Sequence, residues 1–453
     1  MKEEQRKYNL TTTIAMIIGI VIGSGIFFKA DDILLLTGGS VAVGCIVLIL
    51  GAFSIIFGGM TIAEWAKITD DAGGLISYGE KAFGKKFAFF IGWFQMSVYF
   101  PTLASVVCWV GANYTIQLFS NVTWLKHFTW QLTLFYMILF FVINTCAPKI
   151  AGYLQTSATI IKIIPLIIIA ILGIFLGDSS TFDYSSITGY GILSSGSAIV
   201  AAAFSYDGWS IAPSICHEIK HAKRNLPIAL TLGPIIILCI YLLYFLGICF
   251  LLGPDTILEA KDLAFDLAAT KLAGPTLARL LLVGVVISVL GTCNGLILGS
   301  CRIPHALAIR KELPFYKKIA VLHPKFDTSI LSNCISFVFC LLWLGIHYLT
   351  IEHHLFQSMQ LDVSGIPIVI MYVFYFILYI GVIRYALQGN IKNKFFGYIC
   401  PFLACVSGLV VIVGGMFSNN GKMYVLVSLL SIASGYVILC VMKRSHQKQI
   451  RNK

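Results

Sequence analysis

The chain has 453 residues, 58% of them hydrophobic and 11% charged, too little polar surface to cover a water-soluble domain of this size. Its net charge of +12 calls for no nucleic acid, because the basic residues flank apolar segments, where they face anionic lipid. Its thirteen cysteines lie within or beside those segments with no C-x-x-C pair, as small buried hydrophobes do, so no disulfide framework, metal or cofactor is expected.

At about 20 residues per spanning helix, twelve apolar segments centre near residues 20, 50, 102, 138, 166, 204, 240, 288, 337, 373, 404 and 431, an all-α polytopic membrane protein in one domain. The first segment has no cleavable-signal pattern before it and is expected to remain in the mature protein. It is interrupted at its middle by Gly23-Ser24-Gly25, between Val21 and Ile26. In hydrocarbon an unpaired N–H or C=O costs several kcal/mol, so backbone is freed at that depth only where it lines a cavity and meets a ligand or ion. The second and third segments are joined by a basic connection at 67–84. The third and fourth are joined by an outer loop around Asn121 with no cysteine.

The fifth segment carries Lys162, too deep to snorkel easily, with Pro165 one turn away. An ammonium there costs roughly 3 kcal/mol or more on insertion and must face carbonyls, a hydroxyl or a carboxylate inside the bundle. Three roles suit it: a polar staple between helices, a fixed cation standing where a coupled carrier holds its ion, or a titrating group. After an outer connection at 178–192, the sixth segment is interrupted at Phe204-Ser205-Tyr206-Asp207-Gly208-Trp209. Asp207 either orders the unwound backbone or senses substrate. Glu218 follows on the inner side, Tyr244 lies in segment seven, and Ser288 in segment eight; these are candidate gating residues. The outer connection 253–274 has helical apolar spacing from Asp255 to Lys271. A long inner connection, 303–327, precedes the last four segments and the basic tail Lys443–Lys453.

Lysine and arginine crowd one set of segment ends, and only Lys29, Lys126, Lys261, Lys271, Arg279 and Lys422 lie opposite, which puts both termini in the cytoplasm. The interrupted segments are the first and the sixth, five helices apart. That is the correspondence of two five-helix units repeated with inverted topology, about 10–177 and 192–386, with helices eleven and twelve at about 394–443 outside the repeat. A broken helix presents free amides at one end and free carbonyls at the other. The amides of Gly23, Ser24 and Gly25 suit a carboxylate; carbonyls near Val21 and from Phe204 to Asp207 suit an ammonium. Together they fit an α-amino acid, although another zwitterion or a sodium ion would also fit. The spans group no acids, histidines and cysteines as a membrane enzyme would, and show one discrete midplane site where a channel needs a continuous polar path.

Gly23-Ser24-Gly25-Ile26-Phe27 resembles the first-helix signature of the amino acid, polyamine and organocation superfamily. Phe204-Ser205-Tyr206-Asp207-Gly208-Trp209 resembles the sixth-helix motif of its L-amino acid transporter family, prokaryotic exchangers included. Also similar are Ala63-Glu64, Ala72-Gly73-Gly74, Tyr78, Ala82-Phe83-Gly84, Glu218-Ile219-Lys220, Lys223-Arg224-Asn225-Leu226-Pro227, Ser288, Gly291, Asn294-Gly295 and Arg302, so the likeness covers residues 10–315. It implies that substrate carboxylate meets Gly23, Ser24 and Gly25, and that the amino group meets carbonyls at Val21, Phe204, Ser205 and Asp207, with Ile26 and Tyr206 in the same turns. It further implies Phe204 as an outer lid, and Lys162 as the lysine bridging helices one and eight, through a span-one carbonyl and Ser288, where sodium-coupled relatives hold sodium. The implied activity is sodium-independent exchange of small neutral L-amino acids at the plasma membrane by alternating access, with proton-coupled symport as the rival. The cysteine-free loop implies no disulfide-linked heavy subunit. Asp70, and His221-Ala222, depart from the family's usual proline and Asn-Pro at the inner face.

Overall fold

The computed structural model describes residues 8–451 apart from 70, 72, 120–121, 184–195, 215, 217–218, 354–362 and 419. Among these the protein is all helix; the one extended pairing is an isolated parallel bridge between Tyr8 and Ile219. In chain order the helices are α1 (Leu10–Val21), α2 (Ser24–Leu36), α3 (Val41–Ile68), α4 (Leu75–Phe83), α5 (Lys85–Phe94), α6 (Phe100–Leu118), α7 (Thr129–Cys146), α8 (Pro148–Leu176) and α9 (Gly196–Ser205). They continue as α10 (Ile211–Ser214), α11 (Ala222–Leu252), α12 (Pro254–Ala260), α13 (Ala264–Ile309), α14 (Tyr316–Ile319), α15 (Ile330–Ile351), α16 (Gly365–Leu387), α17 (Cys400–Phe417) and α18 (Gly421–Arg451).

Local chemistry sets several of the starts. The side chains of Asn9, Ser40 and Ser329 accept from the amides of Thr12, Val43 and Ser332, each satisfying one of the donors that open a helix. A π-turn, Gln95–Tyr99, joins α5 to α6 into one continuous helical segment. Among the described residues ten segments are long and apolar enough to cross a membrane, against the twelve spans expected from the sequence. Where the first and sixth spans are expected, the structure has separate short helices, α1 and α2, and α9 and α10, none of which reaches spanning length alone.

Burial orders the helices. The α5–α6 segment buries 89% of its apolar window, whereas α18 buries 11% and turns Leu429, Leu430, Tyr436 and Val437 outward. Such a belt is stable only against lipid tails. The connection from Asp255 to Lys271 is helical as its spacing predicts, but in three pieces: α12, a 3-10 turn at Lys261–Leu263, then the start of α13 up to a kink at Gly274 (φ 72°). Lys271 ties it down by donating to the Leu251 carbonyl at 2.5 Å. All thirteen cysteines are free, and the buried Cys108 and Cys293 sulfurs lie 2.7 Å apart between α6 and α13.

Candidate functional site

α1 ends at Val21 because Ile22 turns extended (φ −72°, ψ 95°) and Gly23 adopts φ −146°, ψ −131°; α2 then restarts at Ser24 with no side-chain cap. α9 ends at Ser205 and α10 begins at Ile211. Between them the turn Tyr206–Ser210 passes through Gly208 at φ +104°, a conformation that favours glycine. The two interruptions touch. A Cβ on Gly25 would lie 2.6 Å from the Ser205 Cα, and one on Gly208 would lie 2.8 Å from the Ile20 side chain. Only glycine lets α2 and the end of α9 meet backbone to backbone.

Four side chains hold the polar groups of the two interruptions. The Lys162 ammonium, fully buried on α8, donates to the Gly19 carbonyl, to the Ile22 carbonyl at 2.6 Å and to Thr292 Oγ1 at 3.4 Å. A cation at the carbonyl end of α1 is where the helix dipole favours positive charge. The Tyr241 hydroxyl on α11 lies 2.9 Å from both the Val21 and Ser205 carbonyls, its single proton serving either. Ser205 Oγ lies 3.1 Å from both the Gly25 and the Ala201 carbonyls, its single proton serving either, and Tyr99, last residue of the π-turn, donates to Asp207 Oδ2 at 2.6 Å. π-turns inside α-helices recur at functional sites, and this one ends on the residue that holds the intramembrane acid.

Between these groups lies a cavity of about 20 Å³. Ile20, Val21 and Gly25 line it from the first interruption, Phe204, Asp207 and Gly208 from the second, Leu103 and Val107 from α6, and Thr292 and Leu296 from α13. That volume holds about one water, so anything larger enters only if the surrounding helices move apart.

Of the residues marked in the sequence, Val21, Gly25, Phe204 and Asp207 face this cavity. Gly23 packs on the Thr292 side chain instead, Ile26 is fully buried, and Ser205 is turned to Gly25 and Tyr241. Tyr206 packs at a tilt against Tyr241, with ring centroids 5.0 Å apart and planes at 34°. Ser24's side chain and all of Glu218 lie outside the described residues, as do Asp70, Ala72 and the expected start of the second repeat near 192. Ser288 does not meet Lys162: its hydroxyl has no hydrogen-bond partner among the described residues, and Thr292, one turn along α13, takes that place. Tyr244, marked as a gate, is buried three residues beyond Tyr241, the tyrosine that bridges the interruptions. Tyr241, Thr292, Tyr99, Leu103, Val107 and Leu296 are not among the residues the sequence singles out. For Tyr241, Thr292 and Tyr99 the only signal is a polar end in an apolar span, which does not say which way a helix faces; Leu103, Val107 and Leu296 are apolar residues in apolar spans and carry no signal.

Tyr241→Phe removes a donor shared by two carbonyls. Substrate affinity is expected to fall roughly fivefold, the equivalent of about 1 kcal/mol for one neutral hydrogen bond. Titrating uptake against substrate concentration checks this, and unchanged affinity would reduce the hydroxyl to a space filler.

Residues 8–442 match the family described as amino acid permease. The serine/threonine exchanger SteT of Bacillus subtilis (strain 168) is 28% identical, over 91% of this chain and 90% of its own length. The large neutral amino acids transporter small subunit 2 of Homo sapiens is 26% identical over 73% of this chain, which spans 63% of that protein, under two thirds of its length. Among solved structures, the crystal structure of MhsT in complex with L-phenylalanine superposes with a TM-score of 0.60 over 89% of this chain and 98% of its own, at 16% identity, a likeness of fold alone.

Proposed function

The chain belongs to the amino acid permease family, and from that premise we propose that it exchanges small neutral L-amino acids across the plasma membrane by alternating access, without sodium. On this reading α1 with α2, and α9 with α10, are the broken first and sixth of twelve spans, repeated five plus five with inverted topology, and both termini are cytoplasmic. The observation that carries it is the meeting of the two interruptions around one small cavity, clamped by Lys162 on one side and Tyr241 on the other.

Two features support the finer parts. Lys162 occupies the Gly19 and Ile22 carbonyls with its own ammonium, which on this reading leaves them closed to a sodium ion. Leu103, Val107 and Leu296 form an apolar wall close against the backbone turns, which suits a short side chain; each methylene to be accommodated is worth about 1 kcal/mol. That the relative SteT is a serine/threonine exchanger accords with this choice. A second reading, proton-coupled symport of the same substrates, is favoured by one observation, the Asp207 carboxylate at the cavity wall.

Counterflow of the twenty amino acids in proteoliposomes tests the substrate class. Alanine, serine, threonine and cysteine are expected to exchange fastest; preference for aromatic or cationic amino acids would overturn the assignment.

A further inference from the structure

α13 ends at Ile309 and α15 begins at Ile330, and the connection between them is anchored from beneath. Leu313 and Ile319 are buried. Ser329 Oγ donates to the Ile319 carbonyl at 2.6 Å, the His323 amide to the Thr328 carbonyl at 2.8 Å, and Thr328 Oγ1 to the Thr145 carbonyl of α7 at 3.0 Å. His305 Nε2 of α13 lies 3.2 Å from the Ala320 carbonyl.

The outward side of this anchored segment is apolar and basic at once. Phe315 is 77% exposed, Val321 64% and Leu322 43%, and Ile309 and Ile330 at the two span ends are exposed as well. Phe315 stands just before α14 in left-handed backbone (φ 56°), a conformation that a bulky residue rarely adopts. Three large apolar side chains left outside, in a segment that buries Leu313 and Ile319, call for an apolar surface to lie against. The charges select which surface. Lys311, Lys317, Lys318 and Lys325 are exposed among them, and Asp327 is the one exposed carboxylate in 310–329. Aromatic and aliphatic side chains interleaved with lysines suit the headgroup boundary of an anionic bilayer, where the apolar groups reach the acyl chains and the ammonium groups meet phosphate. That attraction falls off within a Debye length, and a connection running directly from one span to the next is held within it.

We propose that residues 311–325 dock on the bilayer surface beside the protein, with Phe315, Val321 and Leu322 at the acyl boundary and Lys311, Lys317, Lys318 and Lys325 on the phosphates of anionic phospholipid. Docking ties the adjoining end of α13, the helix whose Thr292 and Leu296 line the cavity, to one leaflet. That this leaflet is the cytoplasmic one rests on the transport reading above; the docking itself rests on exposure and charge.

Phe315→Trp in the full-length protein reports the contact. It is reconstituted in phosphatidylcholine vesicles that carry, at equal fractions, acyl-brominated phosphatidylglycerol or acyl-brominated phosphatidylcholine in both leaflets, and the fluorescence of the seven native tryptophans is subtracted using the unmodified protein. The anionic brominated lipid is expected to quench the added tryptophan at least about twofold more strongly than the neutral one. Val321→Trp, a second reporter, should give the same order. Adding Lys317→Gln and Lys318→Gln to Phe315→Trp should bring the two lipids toward equal quenching. Equal quenching before the lysines are changed, or an anionic preference that survives their loss, would overturn the proposal. So would free quenching by aqueous acrylamide with none by either lipid, the pattern of a segment left in water or covered by a soluble partner. Because both leaflets carry the probe lipid, the result does not depend on topology. Absence of amino acid exchange in the same vesicles, with the quenching pattern intact, would count against the transport reading and leave the docking standing.

Discussion

Lys162→Ala is expected to slow exchange about 100-fold while leaving the protein folded. The substitution removes a buried ammonium that serves the Gly19 and Ile22 carbonyls together, so two acceptors at the end of α1 lose their donor. Each orphaned buried acceptor costs about 1–3 kcal/mol, and the lower end of that range for the pair already amounts to more than tenfold in any equilibrium that needs α1 in place. Thr292 cannot substitute, because its hydroxyl reaches the Ile20 carbonyl only at 3.4 Å and is also directed to the Ser288 carbonyl. Initial rates measured in both directions, with a melting curve on the same preparation, separate the roles open to this lysine. Ordinary kinetics with a lowered melting temperature would make it a staple. Loss of any pH dependence of uptake, with rates otherwise preserved, would make it a proton carrier.

Gly25→Ala is expected to abolish substrate binding. The added methyl would stand 2.6 Å from the Ser205 Cα and 2.9 Å from its carbonyl oxygen, against backbone on both counts, so no side chain can turn aside to make room. Overpacking of this kind costs typically 1–3 kcal/mol, relieved here only by driving α2 away from α9. That movement pulls apart the Val21 and Ser205 carbonyls, which the Tyr241 hydroxyl can serve only while they converge. Gly345→Ala supplies the control: a methyl there meets nothing within 4 Å, and a glycine-to-alanine change inside a helix is worth up to about 1 kcal/mol in its favour. Binding that survives Gly25→Ala as well as it survives Gly345→Ala would show that the close approach is mere packing.

The contrast between these two glycines shows what the sequence carried. A Gly-Ser-Gly run, and an aspartate amid apolar residues, stand out because hydrocarbon does not tolerate free backbone or charge, and the structure ends α1 and α9 at those places. Lys162 stood out for the same reason, and its requirement for carbonyl partners followed from its cost. Which hydroxyl joins it did not follow. Ser288 and Thr292 are one helical turn apart on the same face of α13, and the choice between them depends on how far α13 slides against α8. Tyr241 and Tyr244 pose the same problem on α11. Partners across helix interfaces need register and crossing angle, which an apolar span with little amphipathic signal does not encode locally. Span counting by length misses two of the expected segments: α1, at 12 residues, and α9, at 10, are too short to be counted because each ends where the sequence is interrupted.

The most direct test of sodium-independent exchange is uptake of labelled serine into proteoliposomes with and without unlabelled serine inside, in sodium-free medium. Uptake that requires the internal amino acid, and does not change when sodium is restored, is the expected result. Uptake into empty vesicles driven by a sodium gradient, or by external acid, would contradict it.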